Sequence, residues 1–263
     1  MNKLAITGKG GVGKTTLASI LARLYAAEGR PVLAIDADPD ANLGAAIGIA
    51  ARDLETVTPV AQLDELIEER TGAKPGTVGG MFKLNPHVDD IPDRFSVAKD
   101  GIRLLIMGTI KKGGSGCICP ESTMLRSLLT HLLLRTDEMV ILDMEAGIEH
   151  LGRATASAVD AFISVVEPGM RSLDTARAVR RLAEDIGVKT FYVVGNKVVG
   201  DSDRRFIADN LPGFELLGFI SQNPQITEAD RKGLSAYDSA PTVVSEVKAI
   251  KAKLDAISES GAG

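Results

Sequence analysis

The chain has 263 residues, of which 44% are hydrophobic and 25% charged, and 30 Lys+Arg against 35 Asp+Glu give a formal net charge of −5. This apolar content excludes intrinsic disorder and permits a large buried core, while the acidic balance argues against a protein devoted to binding nucleic acid. The apolar stretches are too short to span a bilayer, and the glycine-rich segment from Gly8 leaves no room for a signal peptide, so we expect a cytoplasmic protein that does not bind membranes.

Short runs of Val, Ile and Leu alternate with longer helical patterns along most of the chain, which is typical of β-α-β units in a parallel sheet. The predicted strands are Lys3–Thr7, Pro31–Ile35, Ile102–Met107, Glu138–Asp143, Phe162–Val166, Thr190–Gly195 and Glu215–Ile220. The predicted helices are Lys14–Glu28, Val60–Arg70, Ser122–Leu134, Ser172–Ile186, Asp201–Asn210 and Val243–Ile257. The sequence therefore predicts a three-layer α/β fold, with helices on both faces of a mostly parallel sheet of about seven or eight strands.

Two segments bear on the domain organisation. Residues 71–101 are rich in Gly and Pro and interrupt the alternation, so we expect an irregular insert there. The last helix has one apolar face but balanced charge and few bulky anchors, which favours docking on the sheet of its own chain over binding to a membrane. Since no linker separates two units, we predict a single domain over residues 1–263.

The loop after the first strand carries a phosphate-binding motif. Residues 8–16 read GKGGVGKTT, which fits the P-loop pattern G-x-x-x-x-G-K-[ST] between a strand and a helix. Glycine backbone N–H groups and the helix N-terminus would surround the phosphates, Lys14 would neutralise the β and γ oxygens, and Thr15 would bind Mg²⁺. The predicted ATP or ADP contacts are Gly10, Gly11, Val12, Gly13, Lys14, Thr15 and Thr16. The motif predicts a P-loop NTPase.

The same residues also fit a dinucleotide-binding fingerprint. Gly8, Gly10 and Gly13 have the G-x-G-x-x-G spacing, and Asp36 follows the second strand, where a ribose-binding acid would lie. A dinucleotide site has no use for Lys14 and Thr15, nor for the acidic residues further along the chain. We therefore favour the nucleoside-triphosphate interpretation.

A second acidic motif follows the strand that ends at Asp143. Open α/β sheets bind ligands at the carboxyl ends of their strands, which places Asp143 where a magnesium-binding Walker B acid is expected. Asp143 and Gly147 have the D-x-x-x-G spacing of a switch segment that responds to a γ-phosphate. The motif indicates direct or indirect binding of Mg²⁺ by Asp143.

The extra lysine at position 9 resembles the deviant Walker A pattern K-G-G-x-G-K-T-T of the MinD, ParA, nitrogenase iron protein and arsenite-pump ATPases. That resemblance implies a nucleotide-sandwich homodimer in which Lys9 reaches the phosphates of the partner subunit. It also implies that Asp38 places the attacking water, that Asp36 supports the magnesium ion and that the amide of Asn196 reads adenine. Asp-Pro-Asp at 38–40 is also typical of a turn, but after a P-loop we favour the functional interpretation.

The two cysteines, Cys117 and Cys119, follow a Gly-Gly-Ser-Gly run and precede Pro120, so we expect them in an exposed loop over residues 108–120. Thiolates are soft ligands for Ni²⁺, Zn²⁺ or Cu⁺, and a four-ligand site needs two more donors than one chain provides. A twofold homodimer brings the same patch together from both copies and so supplies four. Packing in the core is the alternative, since isolated cysteines are often buried.

Residues 107–115 before the Cys-x-Cys pair and residues 147–151 after the switch resemble the CooC-type nickel-insertion ATPases of carbon monoxide dehydrogenase maturation. The resemblance covers nearly the full length and implies an ATP-hydrolysing metallochaperone, with the carbon monoxide dehydrogenase apoenzyme as its partner. His150 is expected to be a surface histidine at a helix start; the alternatives are that it senses the nucleotide state or transiently holds metal with Glu149. A ParA- or MinD-like positioning ATPase would need a basic or lipid-binding surface, and an iron–sulfur reductase would need a second cysteine position that this chain lacks.

Overall fold

A computed structural model of the chain describes residues 1–77, 81–108, 119–135, 137–146, 153–156 and 158–260. The strands are β1 Lys3–Thr7, β2 Val32–Asp36, β3 Val97–Lys99, β4 Ile102–Ile106, β5 Met139–Asp143, β6 Ala161–Val166, β7 Phe191–Val198 and β8 Glu215–Ser221. They form one sheet in the order β3-β4-β2-β5-β1-β6-β7-β8, in which β3 is antiparallel to β4 and the other neighbouring strands are parallel. The predicted α/β fold and mostly parallel sheet are confirmed.

The helices alternate with the strands as the sequence pattern indicates. They are α1 Lys14–Ala27, α2 Leu43–Ile47, α3 Ala51–Leu54, α4 Asp64–Thr71, α5 Ile91–Phe95, α6 Pro120–Arg135, α7 Arg153–Ala156, α8 Met170–Asp185, α9 Asp201–Asn210, α10 Pro224–Arg231, α11 Ala236–Ser239 and α12 Pro241–Ser260. Among the helices in the described ranges, none is long and apolar enough to cross a membrane.

Two predictions about local structure are wrong. The helix predicted over Val60–Arg70 is divided into a 3₁₀ turn, Val60–Gln62, and α4, because the backbone of Leu63 leaves the helical region at φ −84° and ψ 70°. The segment 71–101 is not irregular throughout, since it contains α5 and the edge strand β3. Both elements are short and depend on packing against the rest of the fold.

Each face of the sheet has its own core, because successive residues of a strand point to opposite sides. On β2, Val32 and Ala34 join the core under α1 and α12, whereas Leu33 and Ile35 join the core under α4 and α6. The predicted docking of the last helix on this sheet is found, with four apolar side chains buried there: Val243, Val247, Ile250 and Leu254. Helices on both faces leave the edge formed by the carboxyl ends of the parallel strands open for a ligand.

Candidate nucleotide-binding site

The loop between β1 and α1 has the backbone shape that its glycines allow. Gly11 and Gly13 have φ values of 78° and 97°, which place both in the left-handed region that residues with a Cβ rarely adopt. Gly13 is the N-cap residue of α1, and glycine has no side chain that could accept hydrogen bonds from the N–H groups of the first helical turn. Gly10 and Gly11 are exposed, Val12 is buried, and Thr16 lies in the first turn of α1. An exposed helix N-terminus of this kind favours an anion.

Lys14 points toward a carboxylate at the open edge of the sheet. Its side chain is 6% exposed, and its Nζ lies 3.5 Å from Oδ2 of Asp38, whose side chain is 15% exposed. The other carboxylate oxygen, Oδ1, accepts a hydrogen bond from the backbone N–H of Asp40 at 3.1 Å. Asp38 therefore forms the turn that its sequence favours and faces Lys14 as well.

Thr15 and Asp143 are joined directly. The Thr15 hydroxyl donates to Oδ2 of Asp143 over 2.7 Å at the end of β5. The second oxygen, Oδ1, is buried and has no hydrogen-bond partner among the described residues. Burial raises the pKa of Asp143 to about 6. A threonine hydroxyl beside a buried carboxylate oxygen that lacks a partner suits Mg²⁺, which prefers hard oxygen ligands.

Asp36 lies opposite Asp143 across the β2–β5 pair and holds the following loop in place. Its Oδ2 accepts from the N–H of Leu43 at 2.9 Å, and its Oδ1 accepts from the N–H of Asp38 at 3.2 Å. Burial, with the nearby Asp143 and Asp38 carboxylates, raises its pKa to about 7 although these backbone bonds lower it. Since both oxygens are already hydrogen-bonded, Asp36 orders the loop that carries Asp38, and a part in the magnesium site stays a prediction.

These groups form an incompletely balanced charge cluster. The Lys14 ammonium group pairs with Asp38 and interacts electrostatically with Asp143, and the Asp36 carboxylate interacts with both of these carboxylates. Dehydrated carboxylates close to one another favour the protonated form. A bound divalent cation reverses that preference, because it is the largest local charge in such a site. The arrangement can therefore hold a magnesium ion beside the P-loop.

Lys9 lies within the P-loop, and Asn196 contacts it. The Lys9 side chain is 42% exposed, and its Nζ lies 3.9 Å from Oε1 of Glu167, which follows β6. Asn196 is 3% exposed and lies within β7, which continues to Val198 rather than ending at Gly195 as predicted. Its Nδ2 donates to the carbonyl oxygen of Val12 over 2.7 Å. The roles that the resemblance implies for Lys9 and Asn196 stay predictions.

A cavity at the same edge of the sheet was not predicted from the sequence. It has a volume of about 750 Å³ and lies at the carboxyl ends of β7 and β8, lined in part by Val199, Gln222 and Thr227. The spacing of neighbouring strands, about 4.8 Å, puts this cavity about 12 Å along the sheet edge from β1. The one sequence signal was Asn223-Pro224, a helix start at which Asn223 accepts from the N–H of Gln225.

One of the two cysteines, Cys119, lies in the described part of the chain. Cys117 lies outside the described residues, as do Gly147 and His150. The expectation that Cys119 is exposed is wrong, because it directly precedes α6 and is only 6% exposed. Its carbonyl accepts from the N–H of Thr123, and its Sγ lies 3.1 Å from the Ser122 hydroxyl. Burial raises the pKa of the Cys119 thiol.

Residues 3–236 match the family described as the CobQ/CobB/MinD/ParA nucleotide binding domain. The chain belongs to this family. It is 50% identical over 252 residues to the carbon monoxide dehydrogenase accessory protein CooC of Rhodospirillum rubrum, covering 96% of this chain and 95% of that protein. It is also 47% identical over 234 residues to an uncharacterized ATP-binding protein of Methanocaldococcus jannaschii, covering 88% and 89% of the two chains.

Solved structures of MinD proteins share the fold. The MinC:MinD cell division complex of Aquifex aeolicus aligns with a TM-score of 0.67 and 23% identity, covering 96% of this chain and 95% of that one. MinD of Pyrococcus horikoshii, solved with Mg-ADP, aligns with a TM-score of 0.66 and 18% identity, covering 98% of each chain. The predicted family resemblance is confirmed, and the chain is a P-loop ATPase.

Proposed function

We propose that this ATPase is a nickel metallochaperone that serves the maturation of carbon monoxide dehydrogenase. The observation that carries the proposal is the 50% identity, over 96% of the chain, to an accessory protein of that enzyme. The MinD-like structures are at most 23% identical among those compared above, so they support the fold and not a task in cell division. The Cys-x-Cys pair gives the chain a feature that metal transfer requires.

ATP binds in this proposal along the open edge of the sheet. The P-loop and Lys14 hold the phosphates, and the cavity at the ends of β7 and β8 receives the base. Thr15, with Asp143 close by, would hold Mg²⁺, which would supply charge stabilisation to the transferred phosphoryl group. Asp38 lies at the mouth of this site, where one of its oxygens is free to orient water once phosphate replaces it as the partner of Lys14.

The homodimer completes both the catalytic site and the metal site. The exposed Lys9 of each subunit reaches the phosphates of the other, as an arginine finger given in trans would. Cys117 and Cys119 of both subunits provide four thiolates for one Ni²⁺, and Zn²⁺ fits the same donor set. Because Cys119 is buried in the single protomer, metal capture requires it to move, which links the site to closure of the dimer by ATP. Hydrolysis reopens the dimer beside the apoenzyme and releases the metal.

Native mass spectrometry of the full chain with Ni²⁺ and a non-hydrolysable ATP analogue tests the metal site. We expect one metal ion per dimer for the wild type and none for the double variant Cys117→Ser, Cys119→Ser. Ser122→Ala is the matched control, because it removes a hydroxyl beside Cys119 and leaves both thiols. An unchanged metal content in the double variant would refute the proposal.

Two further measurements separate the alternatives. ATP-dependent, salt-sensitive co-sedimentation with DNA or liposomes would indicate a positioning ATPase instead. After anaerobic reconstitution with iron and sulfide, a visible absorption band whose intensity corresponds to one cluster per dimer would indicate an iron–sulfur reductase. The metallochaperone proposal expects neither, and expects Ni²⁺-dependent activation of the apoenzyme to require both the cysteines and ATP.

A further inference from the structure

Two neighbouring residues of β7 contact the outer side of the P-loop through two successive carbonyl groups. The Asn196 Nδ2 donates to the carbonyl oxygen of Val12 over 2.7 Å, and the Lys197 Nζ donates to that of Gly11 over 2.6 Å. We name these two hydrogen bonds the P-loop latch. They connect segments that are more than 180 residues apart in the sequence.

The P-loop latch fixes the direction of the loop peptides. In a planar trans peptide the C=O and N–H groups point in opposite directions. Holding the carbonyl of Val12 toward β7 therefore turns the N–H of Gly13 away from β7, toward the side on which α1 opens. Backbone N–H groups on that side are the ones that surround phosphates in a P-loop. The latch thus orients a phosphate-binding donor without touching the ligand.

Both polar atoms of the Asn196 amide have a partner inside the protein. Its Nδ2 is engaged by Val12, and its Oδ1 accepts from the backbone N–H of Lys197 over 2.9 Å. The amide is also in tight contact with the loop, because a Cβ added at Gly13 would collide with Nδ2. The loop and the buried amide therefore keep each other in place.

Lys197, whose side chain contacts the P-loop, has an unfavourable backbone conformation. Its φ of 56° lies in the left-handed region, which lysine rarely adopts. The ammonium group that contacts Gly11 also lies 3.2 Å from Oε2 of Glu167. Strain of this kind persists when the surrounding contacts determine it, and it often marks a site of function.

We infer that Asn196 and Lys197 are positioning residues of the ATPase, which hold the P-loop in its phosphate-binding shape whatever base is attached. The inference rests on the proposed nucleotide site and differs from the adenine-reading role that the resemblance implies for Asn196. The ligands whose binding depends on the latch are polyphosphates, with or without a nucleoside.

Isothermal titration of the full chain with ATP, GTP and inorganic tripolyphosphate, each with Mg²⁺, tests the inference. Asn196→Ala and Lys197→Met should weaken all three ligands by the same factor, about tenfold, as expected for one hydrogen bond. Lys197→Arg keeps a cationic donor and should restore most of the affinity. Asn210→Ala, which removes an amide-to-carbonyl bond within α9, and Lys248→Met on the exposed side of α12 are the matched controls.

Lys197→Gly separates positioning from simple stabilisation. Glycine adopts the left-handed conformation freely, so the variant relieves the strain and keeps the fold while it loses the contact with Gly11. We expect its melting temperature to be at least as high as that of Lys197→Met and its tripolyphosphate affinity to be equally low. Amide hydrogen exchange at Gly13 in the ligand-free protein should rise in both variants and in Asn196→Ala.

Three results decide the matter. A loss of ATP affinity in Asn196→Ala with unchanged tripolyphosphate affinity would make Asn196 a base reader and overturn the latch. If Lys197→Gly binds tripolyphosphate as tightly as the wild type does, the role assigned to Lys197 is wrong. This variant also tests the inference if Asn196→Ala fails to fold. If the variants weaken tripolyphosphate binding but the wild type does not hydrolyse ATP, the proposed ATP-driven function is refuted and the latch is supported.

Discussion

The substitution Asp143→Asn tests whether the buried carboxylate destabilises the protein when no metal is bound. Burial raises the pKa of Asp143 from 3.8 to about 6, which corresponds to about 3 kcal/mol at roughly 1.4 kcal/mol per pH unit. Because the pKa is higher in the folded than in the unfolded chain, protonation stabilises the fold. That stabilisation is complete below about pH 4 and is lost as the pH rises through about 6. Asparagine is neutral throughout and escapes this loss.

Urea unfolding in EDTA without nucleotide, from about pH 4.5 to about pH 8, measures the effect. The amide nitrogen of the variant replaces a carboxylate oxygen that has no partner in the described structure, at a pH-independent cost of about 1–3 kcal/mol. The informative quantity is therefore the variant minus wild-type difference in unfolding free energy, which should increase by about 2 kcal/mol over this range. Asp209→Asn, an exposed position on α9, should show no comparable trend.

A difference that stays constant with pH would refute the reasoning, because it would mean that the Asp143 carboxylate is not penalised by its burial. Addition of Mg²⁺ and ATP should lower the variant minus wild-type difference in unfolding free energy. The cation offsets the carboxylate charge in the wild type, whereas the neutral amide of the variant offers the cation no charge. Stabilisation of both proteins to the same extent would remove Asp143 from the magnesium site.

The remaining predictions concern the loop and its neighbours. Lys9→Ala should lower the ATPase rate by about 10³-fold or more without weakening ATP binding to the monomer, measured by phosphate release and titration; an unchanged rate would exclude the trans role. Gly13→Ala should abolish ATP binding because the new Cβ meets the Asn196 amide, whereas Gly29→Ala, with a similar φ of 81° and open space, should bind normally. Thr15→Val should abolish the Mg²⁺ dependence of ATP affinity and Thr15→Ser should keep it, and equal behaviour of the two would contradict the hydroxyl's role.

Predictions from the sequence succeeded where local pattern and local chemistry coincide. Gly13 and Lys14 mark the change from loop to helix because the glycine permits the left-handed turn and the lysine begins α1. Asp36 and Asp143 were placed at strand ends because the buried apolar runs stop there, and parallel pairing brings them opposite each other. Such features follow from residue type and periodicity alone.

The features that were missed depend on contacts between distant segments. The hydrogen bond from Asn196 to Val12 cannot be predicted from a local pattern, because it joins β7 to the first loop across 184 residues. The strand β3 has only three residues and exists because it pairs with β4. Cys119 was expected in solvent because of the glycines before it, but the start of α6 draws it into the protein.

The burial of Cys119 has a consequence for the chemical lifetime of the proposed metal site. Oxidants attack the thiolate and need access to it, so a buried thiol whose pKa is raised reacts slowly with them. An enzyme that delivers metal spends part of each cycle with empty ligands, which are then open to sulfenic acid formation or to an incorrect disulfide. Withdrawal of Cys119 beside the first turn of α6 protects this ligand during that interval.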